Sequence, residues 1–582
     1  MLSASAAFAT DDDATLTAVD DEITIDENVL SVEEDDALEI TEEDVVETND
    51  DSDVVSVPST VTNATFHEYF DETGNLTSDA EELIFEGDFT GIDVNYINIE
   101  KSVKLTGNNA IFKDVSFVIS ANDVVIDGFK LYMDDVDTAL ISVGDAKDVT
   151  ISNNVIDYKS LNGFNSYAIF ADSISNLKLI NNAITYVGTN GTTVNNAIRI
   201  EGDKESKILS KGIEVKGNNF TIAMPSVEIA YDAYYNPTIL SEGIVIYYCE
   251  DINFTDNKVD FKYNSFDLGK YGYDTIHAVS IRSDANAYEF NDEGIIYPIV
   301  SKNILVKNNE IKVTGHNDTY ALFVSGDNIE ISQNTINVTA EKYCAHGIQI
   351  GDLSFNGIVK DNKVYAYAEN AVYGIYGYSS FAPVENITYK NNTIVVDGYT
   401  TCGMEIVCEN PYIEGNTITA TGNNTFGICV DANGNGTVSS NNVTCSGSNI
   451  GLIPSGDPMV PAKTSRALSL SGNLMVKNNR LSSSCVGIYA LSDGEMEFKE
   501  NDISVIANNP DVNNYAININ AIDGVKFSDN NLTFIGKTNG NSITNAVYML
   551  DTPSSFVNNN FIITVPAADI KYGPAYEETV IS

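Results

Sequence analysis

Arginine and histidine are scarce in this 582-residue chain: four arginines (Arg199, Arg282, Arg466, Arg480) and four histidines (His67, His277, His316, His346) stand among 84 carboxylates. The densest grouping of groups able to do chemistry is His277, Arg282 and Asp284. A base beside a cation could remove a proton next to a carboxylate that the arginine neutralises, and two carboxylates could hydrolyse a glycosidic bond. These three residues are the catalytic candidates, although no other chemistry-bearing set accompanies them. A competing reading is structural. His277 and His346 each precede a small residue that opens an apolar-x-apolar triplet, as do Tyr167, Tyr320 and Tyr373. That shared position predicts a stack of flat rings at the starts of successive strands. The middle residues of several triplets are also aromatic: Phe170, Phe323, Tyr376, Tyr489 and Tyr548. Outward aromatic rings on a flat sheet can stack on sugars or anchor a protein partner, so these five form a candidate binding face.

Metal and redox signals are weaker. Asp431, Asn433 and Asn435, followed by Gly436, match the opening of a calcium loop, but its twelfth position is Asn442 where the motif needs a bidentate Glu. The reading is a turn, with no required cofactor and Ca²⁺ as the one ion acidic loops such as Asp134-Asp135-Val136-Asp137 could hold. Seven cysteines, an odd number without a CxxC pair, read mostly as small apolar fillers; a bridge between adjacent coils near Cys402 and Cys429 is an option that nothing in the sequence supports. The thirteen N-x-[ST] sequons barely exceed the roughly ten that so Asn-rich a chain would carry by chance, so they argue little.

The elements that must position these groups follow from a repeat. Apolar residues alternating with polar ones, then a polar pair containing Asn, then further alternation recur along the chain, as in Val149-Thr150-Ile151-Ser152-Asn153-Asn154-Val155-Ile156. The marker Asn falls at Asn154, Asn182, Asn218, Asn257, Asn309, Asn334, Asn362, Asn392, Asn416, Asn441, Asn479, Asn501, Asn530 and Asn559, at spacings from 22 to 52 residues. A period of two means strands, and the shortest units leave no room for a crossover helix. Doubly wound folds are thereby excluded, and a leucine-rich horseshoe lacks its Leu scaffold. What remains is a solenoid of about fifteen coils, each rising ~4.8 Å. The apolar triplet residues line its bore and the residue between them points out. The marker Asn is expected to take the left-handed conformation at a turn and to pass hydrogen bonds to the Asn of the next coil. At the front of the solenoid, Thr65 with Glu68 reads as a capping box for a short helix whose apolar face is Phe66, Tyr69 and Phe70. Leu83-Ile84-Phe85 and Ile97-Asn98-Ile99 read as the first strands.

This pattern resembles the right-handed parallel β-helix of the pectate-lyase-like superfamily, with PbH1-type repeats, over residues 95–565. The fold class is therefore all-β: a right-handed, single-stranded parallel β-helix with an N-terminal helical cap. The resemblance brings the enzymes of that superfamily into view, but their galacturonase-type motif set is not assembled. His346-Gly347 is one fragment of it, and no Arg-x-Lys follows one or two coils later.

Composition bounds the partners. A net charge of −53 and a pI near 4.1 exclude nucleic acid and anionic lipid. No stretch is long and apolar enough to span a membrane, so no membrane insertion is expected. Residues 1–9 end in Ala7-Phe8-Ala9, which fits the cleavage site of a shortened secretory signal. Residues 10–57 form an acidic spacer expected to lack a fold; residues 11–53 hold twenty Asp and Glu, and the first Lys or Arg of the chain is Lys101. Residues 58–100 are the cap and first strands, 101–565 the β-helix and 566–582 a tail. A short signal, an acidic spacer, Thr65-Phe66-His67-Glu68-Tyr69-Phe70-Asp71, Glu82-Leu83-Ile84-Phe85-Glu86-Gly87-Asp88-Phe89 and Asn-Asn-x-Ile coils resemble adhesin-like surface proteins of methanogenic archaea. That resemblance implies a secreted, cell-surface rod that binds glycans or proteins on another surface. A polysaccharide lyase or hydrolase and a purely structural envelope protein are the two alternatives.

Overall fold

The computed structural model describes residues 58–565, apart from 136–138, 161–165, 189–194, 226–240, 265–274, 284–288, 292–293, 297–298, 378–381, 449–464, 493, 522–523, 540–541 and 550–554. Asp284, the signal segment, the acidic spacer and the C-terminal tail therefore lie outside the described residues.

Strand-period sequence becomes a three-sided coil. One turn runs through a front strand such as Ser166–Asp172, a side strand such as Ser175–Ile180 and a back strand such as Ala183–Val187. The next turn repeats the order with Asn195–Glu201, Ser210–Lys216 and Asn219–Pro225. Every pairing between consecutive turns is parallel, front on front, side on side and back on back. The one antiparallel strand pair among the described residues is the hairpin of Glu289–Asn291 with Gly294–Ile296, inside the longest inter-marker gap.

Alternation puts one column of apolar side chains into the bore. On the front sheet the register runs Ile169, Ile198, Ile244, Val279, Leu322, Ile348, Ile375, Met404, Ile428, Leu468, Ile488, Ile517. All twelve are fully buried. The small residue before each has a steric reason. A Cβ on Gly347 would lie 2.3 Å from Val364 Cγ1 and 2.4 Å from the Gly374 carbonyl oxygen, so this turn needs Gly there, while turns such as that of Ala168 hold Ala at the same place.

The Asn ladder is continuous from Asn154 to Asn559. Each Nδ2 donates to the Oδ1 of the next marker at 2.9–3.1 Å. The same Oδ1 accepts the preceding marker's backbone N–H, so one amide satisfies a turn that has no other partner inside the coil. One detail is corrected. The left-handed residue is the one before each marker: Asn153, Asn181, Gly217, Asp256, Asn308, Gln333, Asp361, Asn391, Gly415, Ser440, Asn478, Glu500, Asp529 and Asn558, all with φ of 54–68°. The division of labour is physical. The first residue of the polar pair reverses the chain, and the second, with ordinary φ, turns its amide inward.

At the N-terminal end, a 3₁₀ helix, Asn63–Glu68, follows a strand, Ser59–Val61, that pairs with Leu83–Phe85 and so precedes the strands expected first. The expected Thr65–Glu68 capping box is replaced by Thr62 and Thr65: the Thr62 N–H donates to Thr65 Oγ1 at 2.9 Å. Six residues is too short for an α-helix to gain from its own hydrogen bonds, so aromatic packing holds the cap. Phe66 and Phe70 stack at 4.7 Å, and Phe85, Phe89, Phe112, Phe117 and Phe129 continue the plug down the bore. Asp431–Gly436 lies within the long strand Thr417–Ser439 rather than in a calcium-type loop, with Asp431 paired to Val407 and Ser471. No group of three or more His, Cys, Asp or Glu able to hold a metal occurs among the described residues.

Candidate functional site

The front sheet gathers the scarce cations. Three of the four arginines, Arg199, Arg282 and Arg466, lie on it, as do His277 and His346. The sheet brings them together because parallel stacking aligns residues that are far apart in sequence. The middle residues of the triplets form one outward column: Phe170, Arg199, Val245, Ser280, Phe323, Gln349, Tyr376, Glu405, Cys429, Ser469, Tyr489, Asn518 and Tyr548. All five aromatics of the candidate binding face fall in it, each half-buried. A second outward column carries Glu242, His277, Tyr320, His346, Tyr373 and Cys402.

The second column is the expected ring stack. Centroids step 4.6 Å from His277 to Tyr320, 4.0 Å to His346 and 5.0 Å to Tyr373. Burial pushes the imidazole of His277 well below its ordinary range, with Arg282 and His346 adding to the effect, and pushes His346 down to about 3. Both rings are therefore neutral near pH 7. The 3.7 Å approach of His277 Nδ1 to Glu242 Oε1 is accordingly a contact and not an ion pair.

Arg282 joins His277 through Glu242, a residue the sequence reading missed. Its Nη2 donates to Glu242 Oε1 at 2.5 Å, and Glu242 is only 6% exposed. The guanidinium carbon lies 4.7 Å from the Tyr247 centroid and 5.3 Å from that of Phe323, in cation–π range. Arg199 sits over the same Tyr247 ring at 5.5 Å and pairs with Glu201 at 2.6 Å. Its burial works against the charge, but Glu201 outweighs that and the net shift is upward. Arg466 lies 3.6 Å from the Tyr489 centroid, and burial lowers its affinity for the proton. Three planar cations thus each lie on an aromatic face of one sheet.

Several polar atoms in the same patch are buried without a hydrogen-bond partner among the described residues: His277 Nδ1, Ser280 Oγ, Arg282 Nε, His346 Nδ1 and Gln349 Oε1. Leaving one such group unpaired costs about 1–3 kcal/mol, and because these atoms are shut off from solvent that cost falls on the stability of the sheet. Beginning on the turn after His346, a small cavity is lined by Tyr373, Thr400, Cys402, Glu405, Phe426 and Cys429. Every cysteine is a free thiol, and burial raises the Cys402 and Cys445 thiols well out of the nucleophilic range. Cys429, half-exposed on the outward column, departs from the filler role that the buried six fulfil.

Glu242, Arg199, Tyr247, Gln349 and Glu405 were absent from the candidates. A signal existed for some: Arg199 and Gln349 are the middle residues of Ala197-Ile198-Arg199-Ile200 and Gly347-Ile348-Gln349-Ile350, and Glu242 precedes Gly243 as His277 precedes Ala278.

No protein-family profile matches this chain, and none of the curated proteins is similar enough to match. Among solved structures, similarity is found to the periplasmic alginate epimerase AlgG (12% identity, 69% of this chain and 76% of that one, TM-score 0.33). It is also found to the A-module of the Azotobacter vinelandii mannuronan C-5 epimerase AlgE6 (11% identity, 87% and 100%, TM-score 0.23) and to the PL6 alginate lyase AlyGC (9% identity, 87% and 100%, TM-score 0.18). Overlaps this loose carry no argument about the site.

Proposed function

We propose that this protein is a cell-surface, adhesin-like rod that binds glycan through its front sheet. The observation that carries the reading is the outward column that holds five half-buried rings (Phe170, Phe323, Tyr376, Tyr489, Tyr548) among mostly polar side chains, with a ring on either side of Gln349 and of Asn518. Sugar rings stack on aromatic faces, and their hydroxyls need donors and acceptors beside the stack. A parallel sheet offers both along its length on a rigid support. Protein partners on another surface are the alternative ligands, and an architectural role in the envelope is the reading if neither binds.

Catalysis on a polysaccharide is the second reading, favoured by the convergence of Glu242, His277 and Arg282. Two features weigh against it: Glu242 is engaged by Arg282, and His277 is 5% exposed. The test is incubation of the full chain with a panel of neutral and acidic polysaccharides, scoring retention of the protein, new reducing ends and unsaturated products together. Retention without products is expected. Product formation that is abolished by His277→Gln assigns the enzyme reading, and neither retention nor products removes both.

A further inference from the structure

We propose a second glycan site, separate from the front sheet, on the back sheet at Tyr365 and Tyr367. Both belong to the strand Lys363–Ala368 and stand two residues apart, so they share one face at ~6.6 Å along the strand. They are 41% and 49% exposed. Neither ring packs on another ring, and neither hydroxyl has a hydrogen-bond partner among the described residues. Tyrosine suits a strand, so one exposed ring would need no explanation. Two on one face of a single strand make a flat apolar floor. Its borders are mostly polar: across the register Tyr365 lies between Asn337 and Val395, and Tyr367 between Thr339 and Asp397. The face is open. The connections that leave this part of the back sheet are only residues 341–343 and 369–370, and the next strand, Thr393–Glu409, turns the corner without a break.

The size of the floor selects its occupant. Two tyrosines offer at most about 150–250 Å² each, far short of the ~800 Å² per partner that a stable protein interface needs. A few sugar rings match it. A β-linked hexose carries its hydroxyls around its rim and C–H groups on its faces, so it can lie flat on a phenol ring with its rim toward the flanking strands. There the Asn337 amide and the Thr339 hydroxyl can donate or accept and the Asp397 carboxylate accepts, and none of the three is buried. Lys363, at the start of the same strand, balances Asp397 in charge, so the patch favours a neutral chain of hexose or N-acetylhexosamine units over a polyanion. With no wall around it, this is the weaker of the two glycan sites.

The test uses the full chain with cellohexaose and chitohexaose. Tetranitromethane nitrates exposed tyrosines, and peptide mapping reads each one. A saturating sugar is expected to protect Tyr365 and Tyr367 and to leave Tyr96, 48% exposed at the N-terminal end, as reactive as before. Calorimetry then follows in a Phe323→Ala, Tyr376→Ala background, where the front sheet contributes no stacking. Adding Tyr365→Ala and Tyr367→Ala is expected to weaken the remaining binding at least ~10-fold, with melting temperature preserved because both side chains are at the surface. Tyr365→Phe with Tyr367→Phe keeps the stacking faces and is expected to recover it. Equal nitration of Tyr365 and Tyr367 with and without either sugar overturns the inference, as does equal affinity after the two alanine changes. If the sugars bind and the front-sheet changes alone abolish that binding, this site is removed while the front-sheet reading stands.

Discussion

Asn362 shows what one side chain does in this fold. Its Oδ1 accepts the Asn334 N–H and Nδ2, both at 3.0 Å, while its own Nδ2 donates to the Ile331 carbonyl at 2.9 Å and to Asn392 Oδ1 at 3.0 Å. It is 1% exposed, so water cannot take over these bonds. Asn362→Ala is expected to strand the Asn334 N–H and the Ile331 carbonyl, at about 1–3 kcal/mol each, and chemical denaturation should show a loss of about 2–6 kcal/mol. A loss under ~1 kcal/mol would mean that the ladder is a consequence of the coil and not a cause of its stability. The identity of these residues was legible in the sequence because Asn recurred in fixed relation to the apolar triplets. Their conformation was misplaced by one residue, since a polar pair such as Asn153-Asn154 offers two positions that both suit a turn.

At the scale of the element, the front strand carries two functions on one alternation. Its inward residues fill the bore and its outward residues build the ring stack and the aromatic column. The stack has a measurable consequence through His346, whose burial holds its imidazole down to about 3 against an ordinary value near 6.5. Between those values the unfolded chain binds a proton that the folded chain refuses, so stability rises with pH across this window. It is lost as pH falls below the ordinary imidazole value, at up to about 1.4 kcal/mol per pH unit from this group. The pH dependence of unfolding between 6 and 4 should therefore be shallower in His346→Phe, which keeps a flat ring between Tyr320 and Tyr373. A slope identical to the parent's would show that His346 titrates freely. The strands themselves were legible from period two, and the histidine–tyrosine stack from the shared position before the small residue. Glu242 was not recognised because its partner Arg282 belongs to the next turn, and the register between turns of unequal length emerges only when they stack.

At the scale of the molecule, the coil converts sequence repeats into columns, and columns are what a long ligand can read. The acidic surplus and the three arginines are compatible because the arginines are confined to one sheet, each lying on an aromatic ring. The Phe plug at the N-terminal end closes the bore of the described unit against solvent, as a solenoid with apolar contents requires. Fold class was readable at this scale because every turn repeats the same local code. Function was less so, because the code fixes which residues face outward and says nothing about what they meet there. The measurement that bears most directly on the account is calorimetric titration of the parent chain and the Phe323→Ala, Tyr376→Ala double variant with whichever oligosaccharide of the panel is retained. With melting temperature preserved, the account predicts at least ~10-fold weaker binding by the variant, as the loss of two stacking faces implies. Equal affinity in the two proteins would contradict it and move the binding face off the front sheet.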